Sequence, residues 1–312
     1  MSTSVAAPNL LSTLVNGVLA IKPLANLAKH RARAMMINRA EAIGVPWREQ
    51  VRQLQTRNTE AAFASAWEQE LTTLQNSDIV YPNYYTTSFH AYEEGNLGWQ
   101  PAMEVEVAAQ AVHARIWPEA GAAGDAKLRE SYHAVLRSHL PELPTAIADL
   151  GCGVGMSTET LQATFPNAQV TGIDLSPYFL VVAKHRTARK DAGMTWHHAP
   201  AEDTGLPTAS FDLVSACLMF HELPQSAAIA IIREARRLLK PGGHLAIMDM
   251  NPHSETLVKM PPFVLTLLKS TEPYLDEYLA LDFSDVMETS GFSQFQEHIN
   301  SPRHRTLIAQ AA

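Results

Sequence analysis

Three glycines, at positions 151, 153 and 155, separate an apolar run from a stretch of helical periodicity, and Asp149 stands two residues before the first. Glycine has no Cβ, so such a loop turns sharply and lets its backbone approach a ligand closely. A helix opening behind it offers free amide donors. Nineteen residues after Gly155, Asp174 closes a second apolar run with a carboxylate able to accept from two neighbouring hydroxyls. His221 follows a fourth apolar run, and histidine is the side chain that most often moves protons near neutral pH. Upstream, residues 81–99 hold six aromatic side chains and His90 among glycine and asparagine. Aromatic faces attract cations, and loops often carry function.

The glycine spacing separates two ligand classes, a dinucleotide and S-adenosylmethionine. A dinucleotide fingerprint counted from Gly151 requires a small residue at 156, where this chain has Met156. Instead, Asp149-Leu150-Gly151-Cys152-Gly153-Val154-Gly155 resembles the first motif of the class I S-adenosylmethionine-dependent methyltransferases. Other segments resemble that family in the same order. They are Ile173-Asp174-Leu175-Ser176, Ala201-Glu202-Asp203 with Gly205-Leu206-Pro207, Phe211-Asp212-Leu213-Val214, and Leu238-Leu239-Lys240-Pro241-Gly242-Gly243. The resemblance covers roughly residues 140–312 and implies S-adenosyl-L-methionine as cofactor.

By that resemblance Asp149 holds the cofactor's ammonium, directly or through water. Gly151, Cys152 and Gly153 present backbone, Asp174 binds the ribose with Leu175 beside it, Ala201 and Glu202 meet the adenine, and Leu218 lies under the methionyl arm. One segment departs from the family pattern: Ala199-Pro200 precede Ala201. Proline has no amide to donate, so Asp203 is a substitute candidate for the adenine contact. His221 is the candidate catalytic base, or else a histidine that caps the next helix or packs on the cofactor. Tyr84, Tyr85, His90 and Trp99 are candidates for the acceptor pocket, as a lid. The alternative is that these aromatics join two parts of the chain. His197 and His198 have no partner at metal-ligand spacing, so no metal site is expected.

The elements that must position these residues alternate from about residue 144. Runs at 145–150, 169–174, 194–200, 211–218 and 244–250 read as strands, with helices at 157–165, 177–192 and 226–240 between them. Pro241-Gly242-Gly243 is expected to stop the last of these helices. Such alternation predicts an α/β fold: a doubly wound, mostly parallel Rossmann-like sheet with helices on both faces. Before residue 140 the spacing predicts helices at 10–28, 32–43, 48–55, 59–74, 104–117 and 126–140. We therefore expect a helical N-terminal region at 1–140, carrying the aromatic loop, and a cofactor-binding domain at 141–312.

Composition narrows the partners. A formal charge of −8 argues against broad binding to nucleic acid, as does the lack of an Asn/Asp-Pro-Pro-Tyr/Phe-like tetrapeptide after the fourth strand. Two cysteines, Cys152 and Cys217, in segments read as a loop and a buried strand, favour a reducing, cytoplasmic compartment over a disulfide framework. The apolar stretch at 10–28 is broken by Asn16, Lys22, Pro23 and Asn26, which argues against a membrane span. Lys22, Lys29, Arg31, Arg33 and Arg39 form either a solvated helix face or a surface drawn to anionic membrane. Three functions stay open: methyl transfer to a small O, N or C nucleophile, a peripheral-membrane quinone or lipid version of it, and non-catalytic cofactor binding.

Overall fold

A computed structural model describes residues 22–57, 59–60, 62–87, 92–188 and 193–312. A seven-stranded sheet forms the centre, in the order β3-β2-β1-β4-β5-β7-β6. Strands β1 (Ala146–Leu150), β2 (Gln169–Asp174), β3 (Met194–His198), β4 (Phe211–Cys217) and β5 (Leu239–Met250) run parallel. The sequence reading anticipated these five strands. It did not anticipate β6 (Phe292–Ile299) or β7 (His304–Ala311), which are antiparallel to their neighbours.

Helices cover both faces because successive strand residues point to opposite sides. Ile147 of β1 joins one cluster with Leu128, Tyr132 and Leu136 of the helix Gly124–His139. Its neighbours Ala148 and Leu150 join another with Ile231, Ile232, Ala235 and Leu238 of the helix Gln225–Leu238. The order of strands reverses between β1 and β4, with β2 and β3 on one side and β5 on the other. In open α/β sheets the crevice beyond that reversal takes the ligand. Register brings the ends level there: Leu150 lies opposite Ile173 of β2 and Ala216 of β4.

In chain order the helices are α1 (Lys22–Ala42), α2 (Trp47–Thr56), α3 (Ala66–Leu74), α4 (Trp99–His113), α5 (Gly124–His139), α6 (Met156–Thr164), α7 (Pro177–Thr187) and α8 (Gln225–Leu238). The short helices α9 (Glu255–Val258), α10 (Pro262–Thr271), α11 (Leu275–Ala280) and α12 (Phe283–Thr289) follow β5. The N-terminal helices share a core with α7: Ile37, Trp47, Val51, Trp67, Met103 and Val107 pack with Phe179, Val181, Val182 and Val154 of the glycine loop. Residues 10–21 of the expected first helix lie outside the described residues.

Two expectations are corrected. Residues 62–65 are not helical, so the helix expected at 59–74 is only Ala66–Leu74. Pro241-Gly242-Gly243 does not end α8, which stops at Leu238. Those residues bulge within β5, where the pairing with β4 shifts register between Phe211 and Leu213.

Candidate active site

The glycine loop leaves β1 and enters α6. Gly151 and Gly155 both sit at left-handed φ, +63° and +81°. A Cβ at Gly151 would fall 2.3 Å from the sulfur of Met219, and one at Gly155 2.6 Å from the Trp196 indole. The third glycine therefore serves packing: Trp196 of β3 lies against both Gly155 and Gly172 of β2. Backbone groups of the loop are partly committed already. The Cys152 amide donates to Ile173 O at 3.0 Å and the Gly153 amide to Asp174 Oδ2 at 2.8 Å. Burial pushes the Cys152 thiol well above its ordinary value, so it stays a neutral thiol.

Asp149 is fully buried. Ser157 and Thr158, in the first turn of α6, donate their hydroxyls to its Oδ2 at 2.8 and 2.7 Å. Its Oδ1 meets no donor among the described residues. Burial raises this carboxyl to about 6, although Thr158, Ser157 and the nearby Arg129 charge pull it down. A buried carboxylate oxygen with no donor fits a ligand ammonium. Asp174, at the end of β2, accepts from the amides of Gly153 and of Ser176 (2.7 Å), with the Tyr85 hydroxyl at 3.5 Å. Burial raises it too, to about 6. Ser176 caps α7 by accepting from Phe179 N and donates to Asn96 O at 2.6 Å. Leu175 is buried, and its carbonyl accepts from His198 Nε2 at 3.1 Å.

The aromatic stretch divides. The Tyr84 hydroxyl donates to Glu202, which with Ala201 is half-buried just beyond β3. Tyr85 lies over Asp174 and stacks on Tyr81 with ring centres 6.4 Å apart. Tyr84 also meets Tyr274 edge-on at 6.3 Å. Burial lifts both Tyr84 and Tyr85 well above the ordinary phenol value, so they remain hydroxyl donors. Trp99 does not join them. It packs against Phe63, Trp67 and Tyr178 at 5.5, 5.6 and 5.0 Å and donates to Glu68, which makes it part of the joint between the helices and α7. His90 lies outside the described residues. Asp203 is exposed, its amide turned back onto Pro200 O.

On the other side of the reversal, Leu218 leaves β4 at φ +59°, a strained angle for a side chain of its kind. The single turn Phe220–Glu222 follows and presents His221. His221 Nδ1 lies 2.8 Å from Asp249 Oδ1, and its amide donates to Asp249 Oδ2 at 3.2 Å. Burial alone would lower the imidazole, but Asp249 outweighs it and raises it to about 10. Asp249, which burial alone would raise, is held below its ordinary value by His221. Tyr278 stands edge-on to the imidazole at 6.5 Å.

Asp249 and Arg129 were not found from sequence. Asp249 sits 28 residues from its partner and meets it only because β4 and β5 are neighbours. Arg129 is a buried residue of a helix that shows no motif. Its Nε donates to Asp125 at 3.0 Å, while Nη1 faces the sulfur of Cys217 at 3.6 Å. His197 and His198 bond to Thr204 O, Asn76 N and Leu175 O, and the described residues contain no cluster of three or more metal-ligating side chains.

Residues 147–243 match the sequence family described as "Methyltransferase domain". A Synechocystis protein described as an uncharacterised methyltransferase is 29% identical over 171 residues, 54% of this chain and 77% of that one. A ubiquinone biosynthesis O-methyltransferase of Xanthomonas oryzae is 36% identical over 106 residues, 34% of this chain; the match spans only 43% of the relative's length. Among solved structures, the CurJ carbon methyltransferase superposes with a TM-score of 0.53 at 14% identity, over 85% of this chain and 71% of that one, which shows a shared fold.

Proposed function

We propose that the chain, whose residues 147–243 match a methyltransferase domain, is a class I S-adenosylmethionine-dependent methyltransferase that transfers the methyl group to a small-molecule acceptor held between the aromatic loop and the His221–Asp249 pair. One observation carries this reading. A buried oxygen of Asp149 with no donor among the described residues lies at the end of β1, and a histidine whose Nδ1 is fixed by a carboxylate follows the adjacent strand β4.

Bound S-adenosylmethionine supplies a methyl group on a sulfonium, so the protein has to align the acceptor, exclude water and take up a proton where the acceptor holds one. Asp149 would hold the ammonium at Oδ1, the oxygen that no donor meets among the described residues. Asp174 would bind the ribose with the lone pairs that the Gly153 and Ser176 amides leave free. Ala201 and Glu202 border the adenine, and Gly151, Cys152, Gly153, Leu175 and Leu218 shape the walls. Tyr84 and Tyr85 cover the cleft and shut out water. His221 accepts the acceptor's proton at Nε2, and Asp249 stabilises the imidazolium formed. Because Asp249 already raises His221 to about 10, the basic form is scarce at neutral pH.

The test is transfer from methyl-labelled S-adenosylmethionine to a panel of phenols, catechols and enolisable ketones. Labelled product that depends on His221 is the expected result. One S-adenosylhomocysteine site per chain with no transfer to any acceptor class would leave only cofactor binding.

An apolar-tailed acceptor taken from a membrane surface has one observation in its favour. Helix α10 has no buried residue, and Val258, Phe263 and Leu267 of this segment are 70%, 40% and 44% exposed beside the Tyr274 that meets the aromatic loop. The basic stretch of α1 adds less, since Arg33 turns inward to pair with Glu104. No helix among the described residues is long and apolar enough to cross a membrane. Failure to sediment with anionic vesicles at modest salt would end this version.

A further inference from the structure

His198 closes β3 and is only 5% exposed, yet its ring nitrogens bond to two other parts of the molecule. Nδ1 accepts at 2.8 Å from the backbone amide of Asn76, just beyond α3. Nε2 donates at 3.1 Å to the carbonyl of Leu175, next to Asp174. A backbone amide can only donate and a backbone carbonyl only accept, so these partners fix the neutral imidazole with its proton on Nε2. Burial, and His197 to a lesser degree, hold the imidazole below its ordinary value and favour that form, against the pull of the Leu175 bond.

The bond to Asn76 begins a short strap, residues 76–85, that contains neither helix nor strand. Its Tyr81 ring meets the imidazole at 6.4 Å, with the hydroxyl 3.5 Å from Nε2. Tyr81 stacks on Tyr85, whose hydroxyl lies over Asp174, and Tyr84 donates to Glu202. One side chain of the sheet thus holds the start of the strap. Its far end rests on the two acids assigned above to the ribose and the adenine.

We propose that His198 is a positioning residue for the cofactor cleft: its Nδ1 pins Asn76 and so keeps Tyr84 and Tyr85 over the bound cofactor, an inference that rests on the cofactor reading above. It acts through the strap and touches no reacting atom. The consequence is kinetic. A strap released at Asn76 covers the cleft less well, so the cofactor escapes sooner. Entry needs the strap open in any case and is little changed.

The experiment compares His198→Asn with His198→Gln in the full chain. Asparagine places its amide oxygen near the position of Nδ1, and glutamine its amide nitrogen near that of Nε2. The first therefore keeps the acceptor for Asn76, and the second only the donor for Leu175. Both lose the ring, so a packing defect moves them together. Labelled S-adenosylhomocysteine, chased with excess unlabelled compound, should leave His198→Gln about fivefold faster than the parent, the usual worth of one neutral hydrogen bond. It should leave His198→Asn within about twofold of the parental rate, with association alike in all three. Equal release from the two variants, or parental release from His198→Gln, would overturn the proposal. A parent that binds no S-adenosylhomocysteine would overturn the cofactor reading, and this proposal with it. A second measurement needs no variant, so it holds even if one folds poorly. In the ¹⁵N-labelled parent, His198 should show the shifts of the Nε2–H tautomer, and the Asn76 amide should exchange more slowly once S-adenosylhomocysteine is bound. The Nδ1–H tautomer, or exchange at Asn76 unmoved by the ligand, would also overturn it.

Discussion

The two halves of the sheet's carboxyl edge bury acids in opposite ways. Asp149 and Asp174, at the ends of β1 and β2, form no ion pair among the described residues, and burial raises both carboxyls to about 6. Asp249, at the end of β5, is as deeply buried but has His221 against it, and the pair is held ionised. The first half has bonding capacity left over and so gains by taking a ligand. The second is complete in itself, because the ion pair already compensates the buried charge. On the reading proposed above, one edge has a part suited to binding and a part suited to chemistry, and the two should respond differently to change.

The largest effect should come from the chemical half. His221→Ala is expected to slow turnover roughly 10²–10⁴-fold, with S-adenosylhomocysteine affinity measured by calorimetry within about threefold of the parent. Normal turnover would remove His221 as the base. Next comes Asp174→Ala, which should weaken that affinity about tenfold or more, the usual cost of losing hydrogen bonds to a charged group. Unchanged affinity would refute the ribose assignment.

Acidity separates the halves again. Binding needs Asp149 and Asp174 ionised, so S-adenosylhomocysteine affinity should fall about tenfold per carboxyl between pH 7 and pH 5. Turnover needs His221 deprotonated, so kcat/KM should climb with pH toward about 10. Stability moves with its own signs. The raised carboxyls cost stability as pH rises from their ordinary value through about 6, while the His221–Asp249 contribution is full below the free imidazole value and lost as pH rises through about 10. A melting temperature flat across both windows would contradict this picture. The smallest effect on catalysis should come from Trp99→Ala. Its place against Phe63, Trp67 and Tyr178 predicts a stability loss of roughly 2–3 kcal/mol by chemical denaturation, with kcat little changed.

The same division governs what the sequence made legible. Strands β1, β2, β4 and β5 stood out because strands buried on both faces are largely apolar runs, and Asp149, Asp174 and the glycines lie at the ends of the first two. Strand β6 did not, since most of its side chains face outward and are polar. Strand β7 opens on His304 and Arg305, whose burial depends on partners outside the strand: Ser301 hydrogen-bonds to one, and Glu297 pairs with the other. The binding half of the site is local in sequence and could be recognised there. The His221–Asp249 pair is a contact across 28 residues, and Asp249, inside an apolar strand, gave no sign of its partner. The aromatic loop showed that its residues mattered, but not that Tyr84 and Tyr85 would face the cleft while Trp99 faced the helices.

Strand β7 occupies an interior place in the sheet, between β5 and β6, although it is the last strand in chain order. During synthesis β5, which bears Asp249, emerges with one edge bare, and that edge stays open until β7 has left the ribosome. The His221–Asp249 pair therefore reaches its finished surroundings only once β7 has emerged, whereas β1 and β2, which bear Asp149 and Asp174, emerge well before it. A chain stalled before His304 would present a raw β edge to its neighbours, the kind of surface that seeds aggregation.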